Sequence, residues 1–140
     1  MKTWVLYAVI SMVFAGMTSV IAKMGLNGIP SELGLAVRTT FVFAMVLGFA
    51  FFTVPLSEIK GLAPINLLWL GISGLTTTLS WIFYYKALKD GKVSTVALID
   101  KGSIVVAILL ATVILKEQLT WKTALGGAMM LAGLVVIAKK

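Results

Sequence analysis

The apolar residues of this chain fall into five runs: approximately Trp4 to Ala22, Glu32 to Val54, Pro64 to Lys86, Val93 to Leu115 and Thr120 to Ala138. Each is close to the length that crosses a bilayer, because a transmembrane helix needs about 20 mostly apolar residues and satisfies its own backbone hydrogen bonds in oil. The breaks hold residues that stop helices or carry charge: GLNGIPSE from Gly25, VPLSEIKGLAP from Val54, KDGK from Lys89 and KEQLTWK from Lys116. Composition agrees, with 60% hydrophobic and 12% charged residues, where a soluble domain is roughly 45–50% apolar and about 25% charged. The expected fold is all-α and integral to a cell (inner or plasma) membrane, with five transmembrane helices, short loops and one domain over residues 1–140.

The residue inventory excludes several chemistries. Cysteine and histidine are both absent, which removes disulfides, thiolates, the commonest metal ligand and the usual near-neutral proton switch. No cofactor or metal site is expected. A net charge of +7 could suggest nucleic acid, but the basic residues stand singly at span ends, where they meet phospholipid head groups. The expected surroundings are a lipid bilayer and no nucleic acid. The opening MKTWVLYAVISMVFAGMTSV has the look of a secretory leader, yet its apolar stretch exceeds the usual 7 to 15 residues and further spans follow, so it reads as helix one.

Five spans place the termini on opposite faces. Lys2, Lys60, Lys116 and Lys122 lie on the N-terminal side, and Lys23, Lys86, Lys89, Lys92, Lys139 and Lys140 on the other. The excess favours a cytoplasmic C-terminus, but it is small enough for insertion both ways. Because many transporters are built from two inverted repeats, an antiparallel homodimer is one expected assembly.

Polar residues inside the spans mark faces. Helix one carries Ser11, Ala15, Ser19 and Lys23 four apart, either a small-residue packing stripe with Lys23 reaching the head groups or a pathway wall. Helix two places Arg38 about two turns inside its start, and a guanidinium cannot shed its charge to lower the penalty of oil. Helix three, WLGISGLTTTLSWIFYYKAL, lines up Thr77, Trp81, Tyr84 and Leu88, with Thr78 and Tyr85 on the adjacent line. Tyrosines near a span end form an interfacial belt. Trp81 and the hydroxyls lie deeper and suit a small-molecule pocket.

Helix four holds the adjacent charges Asp100 and Lys101. Asp100 shares a line with Ala97, Ala107 and Ala111, with Ser103 one turn on, so small residues direct it toward other helices. Its short stem cannot span the roughly 10 Å that seven residues at 1.5 Å rise imply, and an ionised group there costs at least about 3 kcal/mol. Arg38 and Lys101 are the cations at comparable depth. Gly102 weakens the helix beside these charges, as at the broken helices of transporter sites. Helix five, with Ala124, Ala128, Ala132, Gly126 and Gly133, reads as a close-packing helix and a dimer surface.

With these residues placed, the chain resembles a single EamA-type domain of the drug/metabolite transporter superfamily over nearly its whole length. The likeness rests on AVRTTFVFA from Ala36, SGLTTTLSWIFYYKALKDGKVSTVALIDKGSIV from Ser73 and LKEQLTWKTALGGAMMLAG from Leu115. The IDK of helix four fits the pattern, although Leu98 stands where a proline is usual. The resemblance implies five spans forming one half of a ten-span inverted-repeat transporter, a second copy to complete it, and secondary transport of amino acids or other small organic solutes. Its matches fall on Arg38, Trp81, Asp100 and Lys101. Thr77, Tyr84 and Ser103 join them as expected pathway residues for an amino-acid-like, zwitterionic or anionic solute. The alternative is a non-transporting scaffold or accessory subunit that binds another membrane protein. An intramembrane enzyme fits poorly, since one embedded carboxylate without histidine or cysteine makes no catalytic pair.

Overall fold

The computed structural model describes residues 2–138, and Lys139 and Lys140 of the charge comparison lie outside them. Every element among the described residues is helical: α1 (Thr3–Gly25), α2 (Ser31–Thr53), α3 (Leu56–Lys60), α4 (Pro64–Asp90), α5 (Val93–Asp100), α6 (Ser103–Ile114) and α7 (Trp121–Ala138). Four stretches are long and apolar enough to cross a membrane, namely α1, α2, α4 and the α5–α6 run over Val93–Ile114, and α7 is a shorter apolar fifth. Most of their large apolar side chains lie on the outside, Phe52 at 86% exposure and Trp121 at 78%. That is the arrangement lipid requires, because hydrocarbon is no less apolar than a leucine core.

Prolines set the helix starts. Pro30 and Pro55 precede α2 and α3 in extended conformation, and Pro64 opens α4, where its missing N–H and fixed φ suit the first turn. The hydroxyls inside the spans bond to their own helices: Thr18 to the Phe14 carbonyl at 2.9 Å, Thr40 to Ala36 at 3.0 Å and Thr53 to Phe49 at 2.8 Å. This is how a hydroxyl donor is satisfied where water is absent.

The chain divides into two compact units. The unit Val20–Asp90 has its tightest part where the α1–α2 loop meets the end of α4. Leu26, Tyr85 and Leu88 are buried to 2%, 4% and 0% exposure, and Ser31 to 8%. Lys23 Nζ donates to the carbonyls of Leu88 and Lys89 at 2.6 and 2.7 Å. Lys89 Nζ answers with bonds to the carbonyls of Leu26 and Ile29 at 3.0 and 2.5 Å. The Lys23 ammonium thus seats on the last carbonyls of α4, where a helix end lacks intrahelical donors and the macrodipole is negative, and the Lys89 ammonium seats on carbonyls of the α1–α2 loop. Gly34 makes room for this packing, since a Cβ there would collide with Leu26. Gly28 turns the loop at φ 76°, a conformation open to glycine at little cost.

In the other unit α7 packs against α5 and α6. A Cβ on Gly102 would lie 2.9 Å from Leu134 Cδ1, and one on Gly127 would lie 3.4 Å from Ile108 Cδ1. Gly126 and Gly133 have open space where a side chain would stand. The α6–α7 turn places Lys116 at φ 54°. The Glu117 N–H reaches back to the Ala111 carbonyl at 3.2 Å, and Thr120 caps α7 through the Thr123 N–H at 3.2 Å.

Candidate solute site

Arg38 sits on α2 about 10 Å along the axis from Ser31, at 1.5 Å rise per residue. Its guanidinium carbon lies 4.3 Å from the centroid of Trp81 and 5.9 Å from that of Tyr85, both on α4. A cation over an aromatic face is attracted by the ring's quadrupole, so the two rings give the charge a partner that is itself apolar. Arg38 Nη1 is buried and has no hydrogen-bond partner among the described residues. Buried polar atoms are nearly always bonded, which makes this nitrogen an exception that needs a reason.

Beside the stack, α2 and α4 enclose a cleft of about 370 Å³, lined by Ser31, Glu32, Leu35, Ala36, Thr39, Thr78, Trp81 and Ile82. Its size and mainly apolar walls with a few polar groups match those of small-molecule sites. The Ser31 hydroxyl donates to Glu32 Oε2 at 3.0 Å, and Lys86 Nζ lies 3.6 Å from Glu32 Oε1. The hydroxyls of Thr76 and Thr77 donate to the Ser73 carbonyl at 2.9 and 2.8 Å, and that of Thr78 to the Gly74 carbonyl at 2.9 Å.

The second cluster lies in the other unit. The fourth span is interrupted at Lys101 and Gly102, between α5 and α6. Gly102 N–H bonds to Ile99 at 2.9 Å, Ile104 to Lys101 at 3.1 Å and Val105 to Gly102 at 3.0 Å. These three-residue steps tighten the helix into 3₁₀ turns. Lys101 and Gly102 remain in the right-handed region, with φ,ψ of −66°,−12° and −58°,−23°, so the interruption is made without a proline. Asp100 ends α5, and its Oδ2 pairs with Lys101 Nζ at 3.6 Å, the two side chains 35% and 49% exposed. Ser103 opens α6 and is exposed.

The structure therefore brings Arg38 and Trp81 together and sets Asp100, Lys101 and Ser103 around one helix interruption. Thr77 is exposed next to the cleft-lining Thr78. Tyr84 is half-buried and packs edge-on to Tyr85, with ring centroids 6.3 Å apart. Sequence reasoning passed over Tyr85 as the second ring near Arg38, and over Glu32 and Lys86 as an ion pair on the cleft. The available signal for Tyr85 was its position one turn after Trp81.

The sequence matches the EamA-like transporter family over residues 2–139. A protein from Sinorhizobium sp, named "Uncharacterized transporter in cobO 3'region", is 32% identical over 137 residues, which cover 98% of this chain and 97% of that relative. No solved structure matches. With its apolar helices and a family match over nearly the whole chain, the protein belongs to the EamA-like transporter family and is a multi-pass membrane transporter, not an enzyme.

Proposed function

We propose that the chain is a single five-span domain that carries small organic solutes, amino-acid-like and zwitterionic or anionic, by secondary transport with alternating access. It works as a homodimer, with antiparallel pairing the arrangement that its near-balanced loop charges allow. Its place is the cell membrane, with the C-terminus favoured on the cytoplasmic side. One observation carries the choice of solute: Arg38 keeps a full charge beside Trp81 and holds a buried nitrogen with no hydrogen-bond partner among the described residues, next to a cleft of about 370 Å³. A fixed cation at that depth draws an anionic group, and Trp81 shapes the apolar wall. Asp100, paired with Lys101 at the interruption of the fourth span, serves as the coupling carboxylate, which requires its charge to change during the cycle.

The test is flux in proteoliposomes with a panel of labelled amino acids and related acids. Arg38→Gln lowers uptake of carboxylate-bearing solutes about tenfold or more, the loss of one charge-assisted hydrogen bond, while Lys60→Gln on α3 leaves it unchanged. Uptake that survives Arg38→Gln undiminished sinks the assignment. Asp100→Asn removes the dependence of flux on an imposed pH gradient; a dependence that persists takes Asp100 out of coupling. Topology reporters on each terminus that read only one side exclude the antiparallel dimer.

A further inference from the structure

Two hydroxyls of the α2–α4 cleft share a property that neither their identity nor their spacing reveals. The Ser31 hydroxyl spends its proton on Glu32 Oε2 at 3.0 Å, and the Thr78 hydroxyl spends its own on the Gly74 carbonyl at 2.9 Å. What these oxygens have left are lone pairs, and an ionised Glu32 is acceptor-only. The indole N–H of Trp81 is a donor, and Arg38 is not among the lining groups. Thr39 adds a hydroxyl that can donate or accept, so acceptor sites on the cleft wall outnumber donors, and its one ionised side chain is negative.

The ion pair on that carboxylate is weak. Lys86 Nζ stands 3.6 Å from Oε1, beyond the roughly 2.7–2.9 Å of a strong charge-assisted bond. The Lys86 and Glu32 side chains are 54% and 65% exposed, and ion pairs that open to solvent contribute little. Ser31, only 8% exposed, fixes the carboxylate through Oε2, and the lysine stands nearest Oε1.

We infer that Glu32 is a specificity-determining residue that binds the ammonium group of an amine-bearing solute, and that Lys86 is a built-in stand-in which that ammonium displaces. The inference rests on reading the α2–α4 cleft as the solute site, and it narrows the solute from zwitterion or anion to one that carries a primary amine. Binding exchanges one ammonium for another on Oε1, so the cleft keeps its charge balance and Lys86 is released to water or head groups.

Three probes of one carbon skeleton separate the groups: leucine, 3-methylbutylamine, which lacks the carboxylate, and 4-methylpentanoate, which lacks the amine. The reporter is a variant with Trp4, Trp69 and Trp121 replaced by Phe, so that fluorescence comes from Trp81 alone. Leucine and 3-methylbutylamine bind up to about fivefold more tightly than the acid. Glu32→Gln removes that preference and Glu32→Asp, which keeps the charge, retains it. Lys86→Met tightens amine binding by up to about fivefold, the range of an exposed ion pair. An acid that binds as well as the amines, or a preference that survives Glu32→Gln, overturns the inference. Binding of 4-methylpentanoate alone, lost in Arg38→Gln, overturns it while leaving the anionic reading in place; a flat response to all three probes defeats both.

Discussion

The end of α4 and the interruption of the fourth span solve the same problem, a helix that stops next to other chain segments, by opposite means. At the end of α4 the exposed carbonyls of Leu88 and Lys89 receive Lys23, and Lys89 reaches back to Leu26 and Ile29. Buried Leu26, Tyr85 and Leu88 close the same region. At Lys101–Gly102 no long-range ammonium takes part among the described residues. The backbone tightens by local bonds and α7 presses Leu134 onto a glycine. The first place is held by charge and direction, the second by shape. Directional bonds resist sliding, whereas a methyl group on a bare Cα yields to small shifts, so the interruption is the more deformable of the two.

Breaking the charged contacts has the largest expected effect. Lys23→Met removes the ammonium from the last carbonyls of α4 and Lys89→Met removes it from those of the α1–α2 loop, and either destabilises the protein by about 2 to 3 kcal/mol, the range for hydrogen bonds to charged groups. Thermal unfolding in detergent reads this, and the double variant should lose less than the sum of the singles if the two lysines act as one device. Equal stability of all variants would mean that the bonds to the carbonyls are matched by water.

Filling the glycine is next. Gly102→Val should cost about 1 to 3 kcal/mol by overpacking, and Gly102→Ala less, because Leu134 Cδ1 is the end of a flexible side chain. In a double-mutant cycle, Leu134→Ala should relieve part of the Gly102→Ala penalty. Strict additivity would show that the Ile99 carbonyl, 3.0 Å from the new Cβ, sets the limit instead. The smallest effect belongs to the α6–α7 turn. Lys116→Gly trades a strained φ of 54° for extra unfolded-state entropy and should fall between neutral and about 0.5 kcal/mol more stable.

The spans were legible because hydrocarbon thickness demands long apolar runs, and the observed helices begin and end within a few residues of the expected ones. Helix α3 was not, since the five residues of Leu56–Lys60 are too few for a period to emerge. Gly102 pointed to a weak place in the fourth span, but the sequence could not show that Leu134 would lean on it. Arg38 stood out by the penalty of its charge in oil. Its second ring did not, because Tyr84 and Tyr85 both follow Trp81 within one turn and only packing selects between them. Glu32 read as the polar edge of a span, and Lys23 as a side chain reaching for head groups. Both have partners from α4, more than fifty residues later in the chain, which local patterns cannot announce.

That separation bears on how the protein is made. Lys23 and its acceptor Lys89 are 66 residues apart, so as the nascent chain leaves the ribosome the end of α1 must wait, its ammonium still hydrated, until the end of α4 has been synthesised. Assembly of this end of the molecule therefore follows the synthesis of α4, and a chain released before Asp90 would carry an α1–α2 hairpin with no lid on its carbonyls.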